Sequence, residues 1–221
     1  MKFSALRFAV LLASVACFSV GEASANPITV NNPSFEILAP GGLPFGCGAA
    51  CSYSVDATPG WSGGSGQFQP GPPATTAYFN NVPDGVTVGY SNGPSFSQTT
   101  AATVQDGVTY ILTVEIGTRN DTGFGGSADL VIGGATFILA TGTPAAPGEW
   151  ATFTATFTGT AGTAGQSIGI QLNDIGIQGD FDNVQLNDSV AGPVVPEPGT
   201  LSLLALGLGG IAGVVRRKSR S

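Results

Sequence analysis

Trp150-Ala151-Thr152-Phe153-Thr154-Ala155-Thr156-Phe157-Thr158 is the stretch that decides the fold. Thr holds one face and Ala and Phe the other, the period of two expected of a strand with one side in a core. Tyr110-Ile111-Leu112-Thr113-Val114-Glu115-Ile116 repeats the pattern, and Ser167-Ile168-Gly169-Ile170-Gln171-Leu172 repeats it again. Further strand-like runs fall at 35–38, 77–80, 86–90, 95–104, 109–118, 128–140, 149–158, 166–173 and 180–187, separated by Gly, Pro, Asn and Asp. No part of the interior carries a helical stripe. About nine strands punctuated in this way predict an all-β, two-sheet antiparallel jelly-roll sandwich, with an immunoglobulin-like sandwich as the rival.

The two ends of the 221-residue chain have a different character. Residues 1–25 begin with Lys2 and Arg7, continue through an apolar run at 8–20 and close on Ala23-Ser24-Ala25, the small-x-small pattern that signal peptidase cuts. This predicts a secretory signal, with cleavage after Ala25 and a mature chain starting at Asn26. At the other end, 198–215 is uncharged and is followed by Arg216-Arg217-Lys218-Ser219-Arg220-Ser221. As a helix, its apolar part at about 200–215 makes a short but usable membrane span, and the basic end sets the orientation with the interior on the outer side of the inner membrane. The sandwich domain is therefore expected at 26–193, between the signal at 1–25 and the tail at 194–221.

Val195-Pro196-Glu197-Pro198, the apolar run and the basic end together resemble the PEP-CTERM sorting signal of Gram-negative bacteria that make extracellular polysaccharide. The resemblance implies recognition by a membrane-embedded exosortase, removal of the tail and release or transfer to the cell surface after a transient single-pass stage. Pro196 and Pro198 hold Glu197 extended and out of the helix, where a processing enzyme reaches it. The competing reading is a permanent single-pass anchor.

Charge narrows the choice of partners. Twelve acids and one base, Arg119, lie between 26 and 195, a net charge of minus eleven. Such a surface repels nucleic acid and anionic lipid, and suits cations and neutral sugars. Phe alone numbers 13, and the apolar fraction of 42% is too high for a disordered acidic chain. After loss of Cys17 with the signal, Cys47 and Cys51 are left in an oxidising compartment, which predicts a disulfide, with reduced thiols as the alternative. Two thiolates and no histidine fall short of a structural zinc site.

Asn32-Pro33-Ser34-Phe35-Glu36, Pro59-Gly60-Trp61 and Gly179-Asp180-Phe181-Asp182-Asn183-Val184-Gln185-Leu186 resemble the opening and closing strands of galactose-binding-like, carbohydrate-binding-module jelly rolls. In such modules a glutamate of the first strand and an aspartate of the last often hold a structural calcium, which points to Glu36 and Asp182. Alternation puts Asp182 on the face of Val184 and Leu186. A carboxylate aimed at the core needs a cation or several donors to offset desolvation. The plainer alternative is a strand-edge Asp182 that accepts turn amides.

Sugar-binding sandwiches stack aromatic rings on sugar faces and bond hydroxyls with amides. Trp61, Tyr78, Tyr90 and Asn92 are the candidates here, with core packing as the competing role for each ring. The absence of histidine excludes Ser-His and Cys-His catalysis and His-ligated metal centres. Asp174, Asp180 and Asp182 form the kind of acidic group a glycoside hydrolase uses, but any acidic protein offers such pairs. The expectation is a non-enzymatic, exported polysaccharide-binding protein. A structural matrix protein with protein partners ranks second and a glycoside hydrolase third.

Overall fold

The computed structural model describes residues 24–48, 51–71 and 78–190. Most of the expected signal peptide, Cys17, the sorting box Pro196, Glu197, Pro198 and the span at 200–215 lie outside them. No helix is present among the described residues, so none there is long and apolar enough to cross a membrane.

The strands run in the order β1 (Ser24–Ile28), β2 (Phe45–Gly46), β3 (Ser52–Tyr53), β4 (Ser62–Gly63), β5 (Gly66–Gln69), β6 (Val88–Ser91) and β7 (Phe96–Thr103). They continue with β8 (Thr109–Arg119), β9 (Gly123–Phe124), β10 (Gly126–Ile132), β11 (Thr136–Leu139), β12 (Trp150–Thr158), β13 (Ser167–Asp174) and β14 (Gly179–Val190). Two antiparallel sheets form a jelly-roll sandwich. The larger has the order β12-β8-β14-β6-β5-β3-β2, with β1 added to β14 and β9 to β8. The smaller has the order β11-β10-β13-β7-β4.

The long alternating strands are where the sequence put them. Tyr110, Leu112, Val114 and Ile116 of β8, with Phe153 and Ala155 beside them on β12 of the same sheet, face the apolar side of β10 and β13 across the core between the sheets. The run at 128–140 is a hairpin, β10 and β11, turned by Gly133 and Gly134, both at positive φ. Two short runs are corrected. Residues 35–38 form a turn because Asn32 winds the chain around its side chain: it accepts from Ile37 N at 2.9 Å and donates to the carbonyls of Ile37 and Pro59, each at 3.0 Å. The described part of 77–80 is loop, tied down by Asn80 N donating to Gly148 O at 2.8 Å.

Strand β14 contains the irregularity that matters most. Its register against β8 shifts between Asp182 and Gln185, and Asn183 sits at φ 45°. The extra residue is a β-bulge, so Phe181 and Val184 both enter the core, while Asp180 and Asp182 point to the other side. The expectation that Asp182 shares a face with Val184 and Leu186 fails for this reason. At the N-terminal end, Ala25 pairs with Ser189 in the β1–β14 ladder, so the expected cleavage point lies within a paired strand.

Candidate functional site

The outward face of the larger sheet is not left to solvent. Phe68, Phe79, Val88 and Tyr90 form a second buried apolar cluster there, joined by Tyr53, Tyr78 and Trp150 and by the cysteine loop. Cys47 and Cys51 are linked as a disulfide, as the export reading predicts. The phenol of Tyr78 donates to Cys47 O at 2.8 Å, which fixes the loop against the ring.

Between these elements lies a cleft of about 280 Å³. Tyr53, Phe68, Tyr78 and Tyr90 supply aromatic walls, and Asn92, Arg119, Gln178 and Cys47 supply polar groups. Arg119, the sole base of the exported interior, ends β8 with its guanidinium 4.6 Å from the Tyr78 ring centroid and 5.7 Å from that of Phe68. Its Nε and Nη2 donate to the two oxygens of Asp121 at 2.8 and 2.7 Å. Burial works against the Asp121 charge, but the Arg119 pair and the backbone amides of Asp121 and Thr122 together hold the carboxyl below the usual range. Burial, with Tyr53 adding to it, raises the Tyr90 phenol above its ordinary value.

Directly across the ladder from Tyr90 lies Asp180, fully buried. Its Oδ1 accepts from Gln178 Nε2 at 2.7 Å, while Oδ2 has no hydrogen-bond partner among the described residues. Burial pushes this carboxyl up to about 7; Gln178 and Arg119 act downward, and Asp121 and Asp174 upward. The strand therefore carries an acid whose ionisation burial moves up toward neutral pH, beside an aromatic cleft.

Of the residues singled out from sequence, Tyr78, Tyr90 and Asn92 meet in this cleft. Trp61 does not. It is buried between the sheets, stacked on Phe35 at 5.5 Å, with its Nε1 donating to Asn32 O at 3.1 Å. Sequence reasoning did not select Tyr53, Phe68, Arg119 or Gln178 for the site, and it named Asp180 only as one acid among several. The spare signal was the solitary Arg119 in an acidic chain.

Glu36 and Asp182 lie apart from the cleft, beside the turn at 84–87. Glu36 Oε1 accepts from Val86 N at 2.7 Å and Thr87 N at 2.6 Å. Asp182 accepts from Asp84 N at 2.9 Å and Asn183 N at 2.7 Å. Burial pushes Asp182 up to about 7, and the carboxylates of Asp84 and Glu36 add to the rise. Among the described residues, no group of three or more Asp, Glu, Cys or His is arranged to hold a metal ion.

Comparisons with known proteins bear on both the interior and the tail. A family model described as HpiC1 cyclase matches residues 26–187, and the PEP-CTERM protein-sorting motif matches 194–220, which marks the chain for export. The Stig cyclase FisC from Fischerella sp. TAU, solved in complex with (3Z)-3-(1-methyl-2-pyrrolidinylidene)-3H-indole, is 26% identical with a TM-score of 0.61, covering 75% of this chain and 98% of that one. A cyclase from Fischerella sp. in apo form is 24% identical with a TM-score of 0.60, covering 75% and 97%. A family 16 carbohydrate-binding module gives 14% identity and a TM-score of 0.39 over 71% and 97%, a likeness too loose to carry any statement about ligands. A comparison with curated proteins finds no match. The cyclase match overturns the expectation of no enzymatic role. That expectation rested on the missing histidine, which excludes imidazole chemistry but leaves a buried carboxylic acid available.

The raised acids give stability a definite pH dependence. A carboxyl that ionises near 3.8 when unfolded and about 7 when folded keeps its proton only in the folded chain between those values. Its contribution is fully present below about pH 4 and falls as pH rises through 7, by about 1.4 kcal/mol per pH unit for each proton held. Asp180→Asn, neutral at every pH, is expected to flatten the decline in melting temperature between pH 4 and 7. An unchanged slope in calorimetry would show that Asp180 ionises freely in the folded state.

Proposed function

Because the chain belongs to the HpiC1-like cyclase family, we propose that it is an exported cyclase whose cleft takes a small, electron-rich aromatic substrate and whose Asp180 starts the reaction by giving up a proton. The observation that carries this reading is a fully buried acid with one unpartnered oxygen beside four aromatic rings. In the proposed reaction, Asp180 protonates an unsaturated position of the substrate. The faces of Tyr53, Phe68, Tyr78 and Tyr90 stabilise the cation so formed. An internal nucleophile then closes the ring, and loss of a proton returns the carboxyl to its starting state. The sum is an isomerisation. The indole-derived molecule held by FisC supports an indole-type ring as the first probe.

A second reading takes a sugar as occupant of the same cleft, with stacking on Tyr78 or Tyr90 and amides from Asn92 and Gln178. Its favouring observation is the placement of three sugar-site candidates together. Titration with the FisC ligand, and incubation with indoles bearing an unsaturated side chain, separates the two. The cyclase reading expects binding of the indole, a product of unchanged mass, and loss of turnover by roughly 10²–10⁴-fold in Asp180→Asn with binding retained. Retention on polysaccharide without indole binding, or full turnover in Asp180→Asn, would sink it.

We propose calcium as a structural ion held by Glu36 and Asp182 with main-chain carbonyls, in place of the turn amides that Asp182 accepts; the burial of Asp182 beside the Asp84 and Glu36 carboxylates, which oppose its charge, supports it. Calcium added to chelator-treated protein is expected to raise the melting temperature, and no rise removes the ion from the account. For the tail, we propose exosortase recognition at Pro196-Glu197-Pro198, supported by the sorting motif, with a transient inner-membrane stage before release to the surface or matrix. Intact-mass measurement on protein from outside the native cell should show a chain starting at Asn26 and lacking the apolar tail. A full-length C-terminus there would mean an anchor.

A further inference from the structure

Asp180 is sealed off from the cleft it borders: its side chain is fully buried, while Tyr90, Arg119 and Gln178 around it all line the opening. Gln178 is the group interposed, because it both faces the cleft and bonds Asp180 Oδ1. An acid so placed touches nothing in the cleft until something moves.

The surroundings single out which group moves. Tyr90 is held by its phenol donating to Ser54 O at 3.0 Å. Arg119 is clamped by two bonds to Asp121 and by the rings of Tyr78 and Phe68. Gln178 has no comparable anchor. It is half-buried, it precedes β14 at the end of the turn from β13, and among the described residues its side chain bonds Asp180 alone. The turn backbone is fastened by Ile175 N to Gly125 O at 2.8 Å and by Gly176 N to Asp174 Oδ1 at 2.9 Å. The neighbouring Ile175 and Ile177 side chains are 62% and 71% exposed, so they do not pack Gln178 in place. A rotation of the Gln178 side chain breaks one hydrogen bond, whereas displacing Tyr90 or Arg119 breaks stronger or more numerous contacts.

We propose that Gln178 is the gate of this site: its side chain covers the Asp180 carboxyl in the resting protein and turns aside for a ligand that offers Asp180 a better partner. This rests on the reading of the cleft as the substrate site and adds how the acid reaches it. Gln178 is thus a positioning residue. It keeps water from the acid while the cleft is empty and selects ligands able to replace an amide N–H at Oδ1 or to fill the unpartnered position at Oδ2.

Carbodiimide labelling reads the gate without any turnover, so it remains informative if the indole assay fails. The reagent activates an accessible carboxyl, glycine ethyl ester displaces the urea, and an amide forms; peptide mass spectrometry then gives the rate at each acid. Wild-type protein should label slowly at Asp180. Gln178→Ala should label it roughly tenfold faster, since the closed population is removed. Gln178→Met, which covers without bonding, should stay near the wild-type rate. Asp182, buried on the same strand, is the internal control. An Asp180 rate unchanged in Gln178→Ala, a Met variant as fast as Ala, or an equal rise at Asp182 from a loosened strand would each overturn the gate.

Discussion

The bulge at Asn183 is the constraint on which the site depends. Strand β14 is bonded to β8 on one side and to β6 and then β1 on the other, so its side chains have nowhere to go but the two faces of the sheet. Strict alternation would send either Phe181 or the pair Val184 and Leu186 out of the core. Inserting one residue in a left-handed conformation lets all three point inward and turns Asp180 and Asp182 together to the covered outer face. Asn tolerates that conformation better than most residues, because its short amide bonds locally. The local cost is set against the burial of three large apolar side chains, each stabilising by roughly 1.5–3 kcal/mol.

The second cluster follows from the same geometry. Once Asp180 faces outward, it lies on the side that the aromatic group of Tyr53, Phe68, Tyr78 and Tyr90 covers, with Gln178 on its Oδ1 and Tyr90 across the ladder. Simple stability does not call for this arrangement. A buried carboxyl with one bonded and one unpartnered oxygen is costly, and an apolar side chain in its place would fit the cluster at lower free energy. Features that oppose local stability in this way concentrate at functional sites. Asp182 is different in kind: both of its oxygens accept turn amides, so it fastens the segment near Asp84 to β14.

How much of this the residues disclose in advance depends on whether the cause is local. The alternation of β8, β12 and β13 is local, and those strands fall where the pattern puts them. The two-residue strands β2, β3, β4 and β9 have no pattern to read, because two residues have no period. Phe35 reads as the start of a strand, yet it sits at φ 58° in a turn organised by Asn32. Trp61 reads as a sugar platform, but Asn32 O accepts its indole N–H and Phe35 covers its face, so the core satisfies it completely. Asp180 was visible as an acid; its burial was not, since Tyr90 and Arg119 approach it from distant strands.

The disulfide joins the export signals to the chemistry. Cys47 belongs to the cleft wall, and its carbonyl receives the Tyr78 phenol that stacks on Arg119. Phe45 and Tyr53, paired across the hairpin that the disulfide closes, bring a second ring to the same wall at 5.3 Å from each other. That hairpin has two residues per strand, too few to hold itself together without help. A covalent link between Cys47 and Cys51 supplies the help, and such links persist in oxidising compartments outside the cytoplasm. The core between the sheets includes neither cysteine, so the sandwich has its own source of stability while this wall of the cleft leans on the bond. Export thus delivers the protein to the place where its cleft is held in its complete form.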